Sequence, residues 1–230
     1  KTDNRIFNDK DIRLFRSISI LVNNHYANKK ISEIQSNTQN SIIISLVKML
    51  ELFDSYTKGH SEQVAELSRK TAIKMNIKDV EAAYWAGMVH DIGKILVDRK
   101  ILNKESNLNF EEYEIIKNHS YWGYEVLNKS EELKDIAKYV LHHHERYDGM
   151  GYPDGLKGEE IPIISQIIAV VDSYDTMVSK RAYKEPLTIE EALNELIENR
   201  GTQFSKEVVD VFVKEVIIDN NKILKSRVIN

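Results

Sequence analysis

The sequence predicts an all-α fold. Apolar residues recur at spacings of three and four, as at Ile12, Phe15 and Val22, which is the spacing of one face of a helix. We find no stretch with the strict alternation of polar and apolar residues that is typical of a half-buried strand. Because 42% of the 230 residues are hydrophobic, a chain of this length has enough apolar material to bury a sizeable core.

The beginning of the chain predicts one amphipathic helix that is separate from the rest. Its apolar spacing runs from about Asp9 to Gln39, and polar residues 36–40 follow. We therefore interpret 1–40 as an N-terminal unit and 41–230 as the main domain. The pattern fits a surface helix lying on its own domain and equally a connecting or dimerising helix. Because the sequence starts at Lys1 without a methionine, we expect it to be part of something longer.

Further helices follow in the main domain. An apolar segment at 42–53 predicts a buried helix, and His60 is expected to open the next one. Gly and Pro residues among charges make 148–162 a structured loop. The helix before Asp172 and Asp175 is expected to end on those two carboxylates. The remaining predicted helices span 78–88, 111–119, 133–139, 163–171, 190–199 and 208–218.

Composition narrows the classes of function. The chain has no cysteine, so disulfides and thiolate metal sites are excluded, and any metal needs nitrogen and oxygen ligands, which favours iron, manganese or zinc. A net charge of −4 and a pI near 6.0 argue against a nucleic-acid polymer as partner but allow a small anionic ligand. No apolar run approaches the roughly 20 residues of a membrane span. We expect a cytoplasmic location and no membrane contact.

Histidines and aspartates at predicted helix ends are candidate metal ligands. Each has a structural alternative: His119 could be a half-buried imidazole, Asp172 a cap for a turn, and the triple histidine a surface cluster. Their number and their interleaving with carboxylates predict a metal site instead, and His25 is the one histidine left out. The group comprises His60, His90, Asp91, His119, His142, His143, His144 and Asp172.

The order of these residues resembles the HD-GYP family of metal-dependent phosphohydrolases. The resemblance runs from about 42 to 216 and implies an HD-domain helical bundle with a dinuclear metal site and a GYP loop. The motifs that carry it are Asp54-Ser55-Tyr56-Thr57 to His60-Ser61, His90-Asp91-Ile92-Gly93-Lys94, His119 to Gly123, His143-His144-Glu145 to Asp148-Gly149-Met150-Gly151-Tyr152-Pro153, Asp172 to Asp175, and Arg181-Ala182-Tyr183.

The resemblance implies two divalent metal ions, with Asp91 bridging them. Iron or manganese is the first expectation, with zinc, nickel, cobalt or magnesium as further candidates. Tyr56 stands where some members have a glutamate for a third metal, so two ions are expected, and His142 is an extra that we leave unassigned. The implied ligands are His60, His90, Asp91, His119, His143, His144 and Asp172.

The resemblance also implies residues for catalysis and for substrate binding. Lys94 lies one helical turn after His90 and is expected to contact a non-bridging phosphate oxygen. Tyr152 of the GYP loop is expected to stack on the ligand or to form a hydrogen bond with it. Further candidates are Arg181 and Lys184 for the second phosphate or a base, and Asp54 and Asp175, with Asp91 and Lys94, for catalysis.

The implied activity is hydrolysis of cyclic di-GMP to linear pGpG by a metal-bridging hydroxide, with further cleavage to GMP left open. Two alternatives remain: a catalytically weak or silent receptor for cyclic dinucleotides, and an HD phosphohydrolase acting on cyclic GMP-AMP or other nucleotides. Residues 7–28 resemble the closing helix of a GAF sensor domain, which implies an upstream sensor and allows a homodimer through this helix. Departures from the family pattern that could alter activity are Gln166, 103–106, Ser120, and Ser205-Lys206.

Overall fold

The computed structural model describes residues 9–53, 59–104, 106–179 and 185–218, with side chains from residue 21 onward apart from those of Ser32 and Phe53. The predicted all-α class is confirmed, since the described part of the chain is helical and its only β-type pairing is an isolated bridge between Arg200 and Phe204. The helices are α1 Asp9–Phe53, α2 His60–Lys74, α3 Val80–Val89, α4 Arg99–Leu102, α5 Phe110–Leu127, α6 Lys134–Leu141, α7 Ile163–Val178, α8 Ile189–Glu198 and α9 Lys206–Val211. Short 3-10 turns cover Ile92–Leu96, Glu131–Leu133 and Gly158–Glu160, and a π-helical segment covers Phe212–Ile218.

The two helices expected at 9–39 and 42–53 are one continuous helix, because α1 runs through the polar residues 36–40 to Phe53. Serine and threonine favour turns when their hydroxyls compete for backbone groups. Here the hydroxyls of Thr38, Ser41 and Ser45 donate to the carbonyl four residues earlier, at 2.8, 2.8 and 2.7 Å. These bonds are compatible with the helix, so a polar segment without proline or glycine extends it.

The chain separates into two compact units, Lys1–Leu46 and Val47–Asn230. The prediction that 42–53 is a buried helix holds only in part. Val47 and Leu50 are buried, whereas Ile42, Leu46 and Met49 are about half exposed. A single helix can bury only the stripe that faces a neighbour, so a uniformly apolar segment leaves its other face uncovered.

The core of the second unit lies between α2, α3, α7, α8 and α9. Ile167, Ile168 and Val171 of α7 are fully buried in it. α2 and α3 approach closely at Gly87, where an added Cβ would lie 3.0 Å from the Cα of Ala65. This close contact brings His60, at the start of α2, near the residues that follow α3.

Several predicted helix ends differ in the structure. α7 does not stop before Asp172 and Asp175 but includes both and ends at Val178. α5 begins with a capping box between Asn109 and Glu112 and continues past His119 to Leu127. The prediction that His60 opens a helix is confirmed. Within the described ranges, no helix is apolar over the length that a bilayer crossing requires.

The predicted structured loop at 148–162 is confirmed. It contains a cis peptide bond between Tyr152 and Pro153 and one 3-10 turn. Gln166 of α7 reaches back to it, because its amide Nε2 donates to the carbonyls of Gly158 and Ile161 at 3.3 and 2.8 Å. Gln166 therefore ties the end of the loop to the helix that carries Asp172.

Candidate metal centre

The His90-Asp91 pair lies where α3 ends. His90 is the C-cap of α3 and Asp91 the residue before the 3-10 turn Ile92–Leu96. The turn then packs on α5 without a side chain, since a Cβ at Gly93 would lie 1.9 Å from the carbonyl oxygen of His119. The glycine thus allows the backbone carrying Asp91 to approach the helix carrying His119.

Three of the candidate histidines are held in the same way. Nδ1 of His90, His119 and His143 lies 2.8, 2.6 and 2.6 Å from the carbonyl oxygen of the residue three positions earlier. A carbonyl only accepts, so each Nδ1 carries the proton and donates. Each Nε2 is left as the nitrogen with a free lone pair, which is the form that binds metals.

The first group of ligand atoms comes from His60, His90 and Asp91, which lie within 4.8 Å of one another and are all buried. Asp172 joins them, because its Oδ1 is 3.1 Å from Nε2 of His60 and 4.0 Å from Nε2 of His90. Glu51 of α1 holds the start of α2 in place by accepting from the backbone N–H groups of Gly59 and Ser61. Four elements therefore meet at this group.

The second group is a histidine triad formed by His119, His143 and His144. Nε2 of His119 lies 3.3 Å from Nε2 of His143 and 3.2 Å from Nε2 of His144. Since Nδ1 of His119 and of His143 already carries the proton, lone pairs converge at this point. Such convergence is unfavourable unless a cation lies between them.

Asp91 connects the two groups. Its Oδ2 is 3.4 Å from Nε2 of His90, and its Oδ1 is 3.5 Å from Nε2 of His119. One carboxylate therefore turns one oxygen towards each group, which is the arrangement expected of a bridging ligand. The seven residues predicted as ligands are all brought together around it.

The donor set fits divalent metals. Nε2 of His90 is buried and has no hydrogen-bond partner among the described residues, which is costly for a polar atom unless a ligand occupies it. All donor atoms are nitrogen or carboxylate oxygen, and such sites accept iron, manganese and zinc. The two groups could hold divalent metal ions.

Protonation differs between the two groups. Burial lowers the pKa of His119 and of His143, and it lowers the pKa of His144 to about 3, so the triad is neutral at physiological pH. Burial also opposes charge on His60, but hydrogen bonds to Asp172 and Asp175 outweigh it and raise the pKa of His60 to about 10. Without metal, His60 therefore carries a proton that a metal would have to displace.

Three further candidates contact the ligands. The Lys94 ammonium donates to Oδ2 of Asp91 at 2.6 Å. Asp175 accepts from Nδ1 of His60 at 2.6 Å. The ring of Tyr152 stacks on that of His144, with centroids 4.9 Å apart and planes at 28°. Burial raises the pKa of Tyr152, and the charges of Asp91 and Asp172 raise it further, so its phenol stays neutral and can donate.

The sequence did not reveal how the loop after His144 is held. Oε1 of Glu145 accepts from the backbone N–H groups of Asp154 and Gly155 at 2.7 and 3.1 Å. His142, which we left unassigned, places Nε2 3.0 Å from Oδ2 of Asp154. Both contacts attach the loop to the segment that supplies His143 and His144. The roles of Glu145 and His142 can be recognised only from these contacts in the folded structure.

Not every predicted site residue can be placed. Asp54, Arg181 and Lys184 lie outside the described residues, as does Tyr56. The structure thus brings together the predicted ligands with Lys94, Tyr152 and Asp175 and leaves the other three as predictions.

The class of protein that this fold and site define is a helical domain with two His/Asp groups that could hold metal ions. The HD domain family model matches residues 45–208, and the chain belongs to this family. The HD-GYP resemblance drawn from the motifs is confirmed by the named relatives. A cyclic di-GMP phosphodiesterase of Thermotoga maritima is 43% identical over 177 residues, covering 75% of this chain and 48% of that protein. A 3'3'-cGAMP-specific phosphodiesterase 2 of Vibrio cholerae is 33% identical, covering 77% of this chain and 35% of that protein.

The chain thus spans about half the length of the first of these curated relatives, and about a third of the second. Solved structures agree on the fold. A cyclic GMP-AMP specific phosphodiesterase of V. cholerae superposes with a TM-score of 0.60 at 19% identity, covering 80% of this chain and 49% of that one. The HD domain of the phosphodiesterase PgpH of L. monocytogenes, in complex with cyclic-di-AMP, gives 0.54 at 22% identity, covering 77% and 97%.

Proposed function

We propose that this chain is a metal-dependent cyclic dinucleotide phosphodiesterase whose substrate is cyclic di-GMP. The observation that carries the proposal is the shared carboxylate, since Asp91 turns one oxygen to His90 and the other to His119. Such a carboxylate suits a pair of ions acting on one phosphodiester. The relative named a cyclic di-GMP phosphodiesterase is 43% identical and the one named for cGAMP is 33% identical, which favours cyclic di-GMP.

Two divalent ions in this site would supply a hydroxide nucleophile near neutral pH and offset the charge of the phosphoryl oxygens. We propose iron or manganese, with zinc, nickel, cobalt and magnesium as ions that the same ligands accept. His60, His90, Asp91 and Asp172 would hold one ion. Asp91 would hold the other together with the histidine triad.

The remaining side chains act on the substrate and on the ligands. Lys94, whose ammonium already lies beside Asp91, contacts a non-bridging phosphate oxygen. Tyr152 donates its phenolic proton in a hydrogen bond to the substrate. Asp175 fixes the ring of His60 through Nδ1. The bond between phosphorus and the 3' oxygen breaks, water adds to phosphorus, and the 3' oxygen leaves with a proton to give pGpG.

The predicted residues outside the described ranges keep their proposed roles. Arg181 and Lys184 bind the second phosphate or a base, and Asp54 orients water or a ligand. Gln166 donates two hydrogen bonds to the loop, which supports a structural role for this residue in the proposed enzyme.

The test is a product analysis under anaerobic conditions. The protein is loaded with Mn(II) or Fe(II) and given cyclic di-GMP, cyclic GMP-AMP or GMP, and products are separated by chromatography. We expect pGpG from cyclic di-GMP, slower conversion of cyclic GMP-AMP and no change in GMP. A protein that retains two ions per chain but converts none of the three contradicts the enzyme proposal.

We also propose that 1–40 is a connecting helix from an upstream sensor and that it pairs with a second copy. Leu21, Tyr26, Ile31 and Ile34 are all about half or more exposed on α1, and pairing would cover part of this exposed apolar area. Sedimentation velocity should give a dimer for the chain and a monomer for Ile31→Glu/Ile34→Glu. A wild-type monomer at high concentration would exclude the pairing.

A further inference from the structure

Lys117 of α5 holds its ammonium against two tyrosine rings. Its Nζ lies 5.4 Å from the ring centroid of Tyr113, one turn earlier on the helix, and 5.6 Å from that of Tyr152 in the loop. Both distances are within the roughly 6 Å at which a cation is attracted to an aromatic face. Two separate elements therefore position one positive charge.

This cluster of Tyr113, Lys117 and Tyr152 adjoins the metal centre. The link runs through Tyr152, whose ring lies near the Lys117 ammonium and stacks on the triad member His144. Burial raises the pKa of Tyr152, and the charges of Asp91 and Asp172 raise it further, so its phenol lies within electrostatic reach of the inner carboxylates. The ring of Tyr152 therefore lies between the Lys117 ammonium and the candidate ligand His144.

Solvent reaches the outer part of the cluster. The Tyr113 residue is 49% exposed and the side chain of Lys117 is 26% exposed. An exposed ring beside a cation offers a stacking surface for a nucleobase together with a charge for a phosphate. Neither residue belongs to the candidates that the motifs identified.

We propose that Tyr113 and Lys117 form an outer subsite for the nucleotide half of the substrate that lies away from the metals. Tyr113 stacks on its purine and Lys117 binds its phosphate. The subsite rests on the proposed function, because it presumes a cyclic dinucleotide whose first phosphate is at the metals.

Glu114 makes the direction of the effect testable. Its Oε1 forms an ion pair with the Lys117 ammonium. In the free protein this carboxylate therefore competes with the substrate phosphate for the same ammonium group. Removing the carboxylate charge should strengthen phosphate binding, and removing the ammonium should weaken it. A pair that only stabilises α5 would give losses from both changes.

The experiment measures binding and turnover separately. Calorimetry gives the Kd for a hydrolysis-resistant phosphorothioate analogue of cyclic di-GMP, and steady-state assays of the metal-loaded protein give KM and kcat for cyclic di-GMP. We expect Lys117→Ala to raise Kd and KM about tenfold, Tyr113→Ala about fivefold, and Glu114→Gln to lower both about threefold, with kcat within about twofold. Tyr113→Phe should bind like the wild type.

The matched control is the pair of Glu131 and Lys134, which has the same three-residue spacing and a 2.6 Å ion pair. Lys134→Ala and Glu131→Gln should leave Kd unchanged. An unchanged Kd in Lys117→Ala, or weaker binding in Glu114→Gln, overturns the subsite. Normal turnover with an unchanged KM in Lys117→Ala rejects the subsite and keeps the enzyme. Absent turnover with analogue binding that depends on Lys117 rejects the enzyme and keeps the subsite.

Discussion

At the scale of single residues, the proposed two-ion site depends on Asp91, whose two carboxylate oxygens face the two groups of candidate ligands. Replacing it by asparagine keeps the shape but removes the charge that both groups share. We expect Asp91→Asn to lower metal content from two ions to one or fewer and to reduce turnover by at least about a hundredfold. Elemental analysis and product assays measure the two effects. Asp98→Asn, which can retain the cap of α4, is the control, and two retained ions in Asp91→Asn would contradict the bridging assignment.

Because His60 is protonated in the metal-free protein, we expect metal binding to release a proton. Its Nδ1 and Nε2 both face carboxylate oxygens, and the pKa of His60 is raised to about 10. At pH 7 a metal entering at Nε2 displaces that proton, so apparent affinity should rise with pH up to about 10. Calorimetric titrations of Mn(II) in two buffers of different ionisation enthalpy count the released protons. Heats that are independent of the buffer would show that His60 is already neutral.

At the scale of the elements, Gly93 controls the distance between the 3-10 turn and α5. A Cβ added at Gly93 would overlap the carbonyl oxygen of His119. A Cβ added at Gly123 would contact mainly the side chain of Val140, at 3.0 Å. We expect Gly93→Ala to lower the free energy of unfolding by about 1–3 kcal/mol or more and to reduce metal content, with a smaller effect in Gly123→Ala. Urea unfolding and elemental analysis compare the two. Equal losses would mean that the contact with His119 has no special role.

The helices differ in how well the sequence predicted them. Regular apolar spacing was enough for the all-α class and for the helix that His60 opens. The continuity of α1 was not predictable from composition, because hydroxyl groups that can end a helix can also bond to its own carbonyls, as those of Thr38 and Ser41 do. The extent of α7 through Asp172 was missed because a carboxylate in a helix has no distinctive spacing.

For the site, the candidate ligands that the structure groups together could be selected from the sequence because histidines and aspartates recur at predicted helix ends in an order that resembles the HD-GYP family. Lys117 was not, because a lysine two residues before a ligand resembles any solvated lysine. What distinguishes Lys117 is its contact with the ring of Tyr152, and this contact depends on the path of the loop in the folded protein.

At the scale of the whole molecule, the site makes the stability of the metal-free protein depend on pH in both directions. The folded pKa of His119, His143 and His144 lies below the ordinary value of 6.5, so their contribution falls as pH drops below 6.5 and the unfolded chain takes up protons. The folded pKa of His60 lies above 6.5, near 10, so its contribution is complete below 6.5 and is lost as pH rises towards 10.

The free energy of unfolding of the metal-free chain should therefore be largest near pH 6.5. Urea unfolding from pH 5 to pH 10 measures it. His60→Gln should remove the alkaline decline, and His144→Gln should reduce the acid decline. Metal at a thousand times its Kd should add about 4 kcal/mol. A stability that rises steadily from pH 6.5 to pH 10 would contradict the ion pairing of His60.

His144 belongs to two structures at once, since it is a member of the triad and also the surface on which Tyr152 lies. A ligand that orders the loop at Tyr152 would therefore also order the ring of His144, a candidate metal ligand. A metal ion that orders His144 would likewise order the loop. If the proposed metals and nucleotide both bind, thermodynamic reciprocity requires that a nucleotide that orders this loop tightens metal binding by the same factor by which metal tightens nucleotide binding. We therefore expect metal binding and nucleotide binding to be cooperative, so that a low concentration of one ligand weakens binding of the other.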